Sequence, residues 1–158
     1  MAAERSIVTS ATIQAPQQKV FELVSDTTRY AEWAENTLEV VRTDGPARPG
    51  STYDERNVVF GPVKSSSRWT VVEHDAPRRS VHRGEGIALA RSATIEFDLA
   101  PAGESTELTL TFRYEPAFGP IGAAIDTLVA RRSLEASIRR SLANLAAIAE
   151  REVVSARA

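Results

Sequence analysis

The sequence predicts an α+β fold: a curved, seven-stranded antiparallel sheet with two short helices after its first strand, wrapped around one long C-terminal helix. Three observations carry this. An alternating, β-branched stretch comes first and gives way at Pro16 to a helical apolar face. Six further strand-like stretches follow, separated by turn chemistry. After Gly122 the chain holds neither Gly nor Pro up to its end, with apolar residues at helical spacing.

Ser6 to Gln14, "SIVTSATIQ", is rich in β-branched residues and reads as strand 1. Pro16 stops it and suits a first helical turn. Val20, Phe21, Leu23 and Val24 then give an i, i+3, i+4 face. Asp26-Thr27-Thr28 breaks that helix, and Asp26 or Thr28 caps a second one, Arg29 to Trp33. "LEVVRT" reads as strand 2 and "DGPARPG" as a turn. Strands 3 (Ser51 to Phe60) and 4 (Val63 to His74) flank Gly61-Pro62. Strand 5 covers Ser80 to Gly84, and strand 6 covers Ala90 to Ala100. "PAGEST" reads as a loop before strand 7, Glu107 to Glu115.

The two last strands alternate most clearly. Pairing Leu99 with Leu108 places Phe97 against Leu110 and Ile95 against Phe112, so the apolar sets coincide on one face. A helix from Ile121 to about Val153 would be about 45 Å long. Ile121, Ile125, Leu128, Ile138, Leu142, Leu145 and Ala149 form its apolar stripe, and only the sheet can cover it. Arg131 and Glu135 interrupt the stripe. Either the register shifts there and Leu134 takes the buried position, or these charges line an opening. The first few residues and the tail Ser155 to Ala158 are expected to fray.

The chain has 158 residues, 42% of them hydrophobic and 25% charged, which fits one globular domain with a real core. Nineteen basic and 21 acidic residues leave a net charge of −2, no footprint for nucleic acid. Cysteine is absent, which excludes disulfides and thiolate metal sites and fits a reducing cytoplasm. The N-terminal stretch has no apolar core, so no signal peptide is expected, and no stretch is apolar enough for stable membrane insertion.

Three segments in order carry a family resemblance: "ATIQAPQQKVFELVSDTTRYAEW", "WTVVEHDAPRRSV" and "FDLAPAGESTELTLTF". With the element order, they resemble the START-like, helix-grip (SRPBCC) superfamily, which includes polyketide cyclase/dehydrase-like proteins, lipid-transfer domains and plant pathogenesis-related allergens. The resemblance covers about Ser6 to Arg151 of a single domain, 1–158. It implies an elongated apolar cavity between the sheet and the long helix. It also implies a role in binding a lipid, polyketide, quinone or similar small hydrophobic ligand, without a cofactor, as a monomer or homodimer. Some members are cyclases, dehydratases or aromatases, and others assist a partner complex, so fold alone does not choose. The family has no single catalytic motif to transfer, and no catalytic residue is assigned.

On this footing the expected cavity lining is Trp33, Tyr53, Trp69, Phe97, Phe112, Tyr114, Ile125 and Leu128, each of which also suits plain core packing. The polar candidates are Glu55, Arg68 and His82. A two-residue loop at Gly61-Pro62 would set Glu55 opposite Arg68 and Asn57 opposite Ser66. The pair then either lines the cavity or lies on the surface, unless a bulge swaps the parity. His82 and His74 have no ligand spacing, so no metal site is expected. The serines of "KSSSRW" lack a G-x-S-x-G elbow and read as a solvated strand face. "RRSLEASIRR" reads as a solvated helix face. Tyr30 and Trp33 share a helix face and either seal one end of the cavity or gate it.

Overall fold

The computed structural model describes residues 3–157, without the side chain of Phe60. The elements are β1 (Arg5–Ile13), α1 (Gln17–Ser25), a 3₁₀ turn (Thr27–Arg29), α2 (Tyr30–Trp33), β2 (Thr37–Thr43), β3 (Thr52–Phe60) and β4 (Val63–Asp75). They continue with β5 (Arg79–Glu85), β6 (Ala90–Ala102), β7 (Ser105–Pro116), α3 (Gly119–Ile125), a π-helical segment (Asp126–Ala130) and α4 (Arg131–Arg157). All strands join one antiparallel sheet in the order β1-β7-β6-β5-β4-β3-β2. This is the helix-grip architecture expected. Five register shifts, two of them between β2 and β3, bend the sheet.

Local chemistry explains the opening. Pro16 precedes the first residue of α1, which buries Val20, Phe21, Leu23 and Val24. The Asp26 carboxylate accepts the Thr28 backbone N–H at 3.2 Å and starts the 3₁₀ turn. α2 is fixed to α4 at its C-terminal end. There Asn144 donates to the Trp33 carbonyl at 3.2 Å, and the Glu35 N–H donates to Ser141 at 2.9 Å.

β6 and β7 pair as the alternation requires, with Leu99 on Leu108, Phe97 on Leu110 and Ile95 on Phe112. The expected loop at Pro101 to Thr106 is instead a continuation of both strands around a two-residue turn. Ala102 pairs with Ser105, and Gly103 adopts φ +64° at the bend.

The β3–β4 register differs from expectation. Phe60 does pair with Val63, but a shift between Val58 and Phe60 moves every later partner by one. Asp54 therefore faces Arg68, and Glu55 faces Ser67. Arg68 lies on the outer face, where it grips Asp54 at 2.7 and 3.0 Å.

The C-terminal helix also departs from one continuous stripe. Its π-helical segment opens the spacing from i+4 to i+5 and rotates what precedes it relative to α4. Ile138, Leu142, Leu145, Ile148 and Ala149 join the core with Ile13, Val20, Phe21 and Leu108. Ile121 and Leu128 instead face solvent, at 73% and 74% exposure. Leu134 packs against the core, and Arg131 bonds Glu135 and the Ser6 carbonyl rather than facing the cavity. α4 continues to Arg157, so Ser155 to Arg157 are helical. Met1, Ala2 and Ala158, where fraying was also expected, lie outside the described residues.

Candidate functional site

The sheet and helix leave a cavity of about 510 Å³ between them. β3 and β4 supply one wall, because their inward positions are Tyr53, Glu55 and Asn57 against Trp69, Ser67 and Ser65. Ile95, Phe97, Leu110, Phe112 and Tyr114 from β6 and β7 form the floor. Leu134, Ser137, Ile138 and Ser141 of α4 form the opposite side. Tyr30 and Trp33 close one end. They meet edge-on at 5.1 Å, and Trp33 meets Phe97 at 6.2 Å. Both are 3% exposed.

The other end is open. Leu89, Ile125 and Val129 line the cavity, yet they are 46%, 53% and 66% exposed. The mouth therefore lies between the β5–β6 connection and the helical segment around Asp126. The Tyr114 hydroxyl donates to Asp126 at 2.8 Å, and Arg5 pairs with Asp126 at 2.9 Å. Burial and the Asp126 carboxylate push the Tyr114 hydroxyl up to about 12. This cluster ties the helical side of the mouth to β1 and β7.

Seven of the eight expected lining residues border the cavity: Trp33, Tyr53, Trp69, Phe97, Phe112, Tyr114 and Ile125. Leu128 does not, because the π-helical segment turns it outward. Of the polar candidates, Glu55 lines the cavity, while Arg68 is on the outer face. His82 points inward but behind the lining. It is wholly buried, 5.7 Å from the Phe97 ring and 6.3 Å from the Tyr30 ring. Its Nδ1 meets the Tyr53 hydroxyl at 2.7 Å and its Nε2 meets Ser80 at 2.9 Å.

Sequence reasoning missed the polar chain that runs across β3 and β4. Asn57 donates to Glu55 at 3.1 Å, Ser67 donates to Asn57 at 2.7 Å, and the Trp69 indole N–H donates to Ser67 at 3.0 Å. The serines of "KSSSRW" are thus not uniformly solvated: Ser65 and Ser67 face the cavity. Their period of two, matched to Asn57 and Glu55 on the facing strand, was the available signal. Burial raises the Glu55 carboxyl above the ordinary range, against hydrogen bonding from Asn57, Thr37 and Trp69. A carboxyl raised in this way holds its proton to higher pH than an exposed one. Among the described residues, no cluster of three or more His, Asp or Glu is placed to hold a metal ion.

Trp69 packs closely against Gly84, its cross-strand partner. A Cβ on Gly84 would sit 2.7 Å from the Trp69 ring and 2.6 Å from Ile87. Gly84→Ala is expected to push the indole into the cavity and destabilise the fold by about 1–3 kcal/mol. Urea titration with tryptophan emission reads both effects; unchanged stability and emission would count against this packing.

A helix gripped by a seven-stranded sheet over an apolar cavity defines a START-like protein. The chain belongs to the polyketide cyclase / dehydrase and lipid transport family, whose model matches residues 4–150. No curated protein sequence matches it. Among solved structures it is similar to the Zhui aromatase/cyclase from Streptomyces sp. R1128, at 24% identity over 96% of each chain and a TM-score of 0.73. It is also similar to the di-domain ARO/CYC StfQ of the steffimycin biosynthetic pathway. That match has a TM-score of 0.77 at 12% identity, over 95% of this chain and 52% of that one. Protein CV1439 from Chromobacterium violaceum matches with a TM-score of 0.72 at 19% identity, over 92% of this chain and 96% of that one. Likenesses this distant speak to the fold. Among the described residues, no helix is long and apolar enough to cross a membrane.

Proposed function

We propose that this protein binds a small, mainly hydrophobic molecule, such as a lipid, polyketide or quinone, between its sheet and its C-terminal helix. The observation that carries this is the cavity itself. It is apolar, closed at one end by Tyr30 and Trp33, open at the other, and large enough for a ligand of drug size. Glu55, Asn57, Ser65 and Ser67 form a polar strip on the β3–β4 wall, where they would orient a bound molecule. The family's association with lipid transport supports the same reading.

A second reading, cyclase- or dehydratase-like catalysis, is favoured by one observation: Glu55 presents a buried carboxyl to the cavity. In that reading Glu55 transfers a proton at a carbonyl or hydroxyl of the bound molecule. Arg68 and His82 have no part in it, since neither borders the cavity.

Both tryptophans of the chain line the cavity, so ligand entry is visible in intrinsic emission. The neutral dye Nile red is expected to bind with enhanced fluorescence and to quench tryptophan. Ser133 lines the mouth from an exposed helical position. Ser133→Phe is expected to weaken dye binding roughly tenfold, about 1.4 kcal/mol, while stability stays within about 0.5 kcal/mol. Binding that is absent in the wild type, or unaffected by the plug, would overturn the assignment.

A further inference from the structure

The polar wall has a charge character of its own. Among the described residues lining the cavity there are two carboxylates, Glu55 and Asp126, and no Lys, Arg or His. Asp126 stands at the mouth, already paired with Arg5 and the Tyr114 hydroxyl. Glu55 stands within, 6% exposed, and forms no ion pair among the described residues. Asn57 donates to its Oε2 at 3.1 Å, and Thr37 and Trp69 add weaker hydrogen bonding. A carboxylate offers about four acceptor positions, so Glu55 keeps capacity towards the cavity.

Resting on the reading of the cavity as a hydrophobic-ligand site, we propose that Glu55 selects ligands whose polar end donates hydrogen bonds and carries no negative charge, an amine or a hydroxyl, and rejects carboxylates and phosphates. An anionic head beside Glu55 would set like charges together in a desolvated recess with no cation to screen them. A donor head is met by a charge-assisted hydrogen bond, stronger than a neutral one. Thr37, Asn57 and Ser67 surround the same point and can serve the remaining valences of a hydroxyl or ammonium. Burial already raises the Glu55 carboxyl, and an arriving cation would compensate that buried charge.

The test is a matched series at pH 8, decylamine, decanol and decanoate, each displacing Nile red from the wild type and from Glu55→Gln. Decylamine and decanol are expected to displace the dye about tenfold or more better than decanoate. In Glu55→Gln the gap between decylamine and decanoate, both charged, is expected to collapse. The alcohol arm separates donor recognition from attraction of a cation to a protein of net charge −2. Decanoate binding as well as decylamine would overturn the selectivity while leaving the hydrophobic-ligand reading standing. A preference that survives in Glu55→Gln would overturn the assignment to Glu55. Failure of Nile red itself to bind would remove the underlying reading, and this inference with it.

Discussion

Trp33→Ala is expected to destabilise the protein by about 3–5 kcal/mol, the range for removing a large aromatic from a packed site. Trp33 is 3% exposed and wedged between Tyr30 and Phe97, and its backbone carbonyl is held by Asn144 of α4. It joins α2 to the floor of the sheet and closes the end of the cavity away from the mouth. Its truncation would extend the cavity rather than open an entrance. The indole also carries a weakness: Nε1 is buried with no hydrogen-bond partner among the described residues. Leaving such a donor unpaired costs about 1–3 kcal/mol. Trp33→Phe removes that donor with part of the ring, so it is expected to cost less than half as much as Trp33→Ala. Urea denaturation followed by circular dichroism measures both without relying on the deleted fluorophore. Suppose instead that Trp33→Ala costs under about 1 kcal/mol while Nile red affinity collapses. Trp33 would then be a gate for the ligand and not a seal.

How far the sequence reached depended on whether a local signal existed. β6 and β7 each carry an unbroken alternation of large apolar residues, and only one register makes the two sets coincide. Leu99 on Leu108 was therefore legible. β3 and β4 carry polar residues on both faces, so hydrophobic pattern could not choose between registers. The shift beyond Val58 then inverted the parity of Arg68 relative to Glu55. One residue of slip moved a candidate cavity cation to the outer surface, and left the acid without it. The C-terminal helix failed in a comparable way. The interruption at Arg131 and Glu135 was visible as a break in the stripe. The cause, an i+5 segment, starts at Asp126, where tertiary contacts to Arg5 and Tyr114 hold the chain. Arg5 is far away in the chain, and Tyr114, though only 12 residues before Asp126, belongs to a strand and so lies outside the helical pattern. Ile125 remained at the mouth through this change, and Leu128 was carried to the outside.

His82 gives the protein a stability that falls as pH drops below about 6.5, by an amount close to the Trp33 effect. Burial holds its imidazole neutral in the folded state and lowers its pKa from 6.5 to about 3, with the nearby His74 adding to the effect. The hydrogen bonds fit a neutral ring. Ser80 can donate to the Glu73 carbonyl at 3.5 Å, and so accept from Nε2–H; Nδ1 then accepts from the Tyr53 hydroxyl. Between pH 6.5 and 3 the unfolded chain binds a proton at this residue that the folded chain refuses. Unfolding therefore takes up a proton, and stability rises with pH across that window by about 1.4 kcal/mol per unit. The whole window is worth about 4–5 kcal/mol, fully present above pH 6.5 and lost towards pH 3. Glu55 acts in the opposite sense, because its carboxyl is raised and its folded form keeps a proton longer than the unfolded chain does. The comparison must therefore be between variants. His82→Gln is expected to flatten the slope of unfolding free energy against pH between 6 and 4 by about 1.4 kcal/mol per unit, with Glu55 common to both proteins. In the wild type, with two histidines, NMR titration is expected to leave the His82 ring unshifted between pH 8 and 5. Equal slopes in the two proteins, or a His82 resonance that titrates near pH 6.5, would show that the ring is charged in the folded state. The Tyr53 hydroxyl would then have to turn round and accept from Nδ1–H. That tyrosine lines the cavity, so the protonation of a residue behind the wall would reach the polar groups that face a ligand.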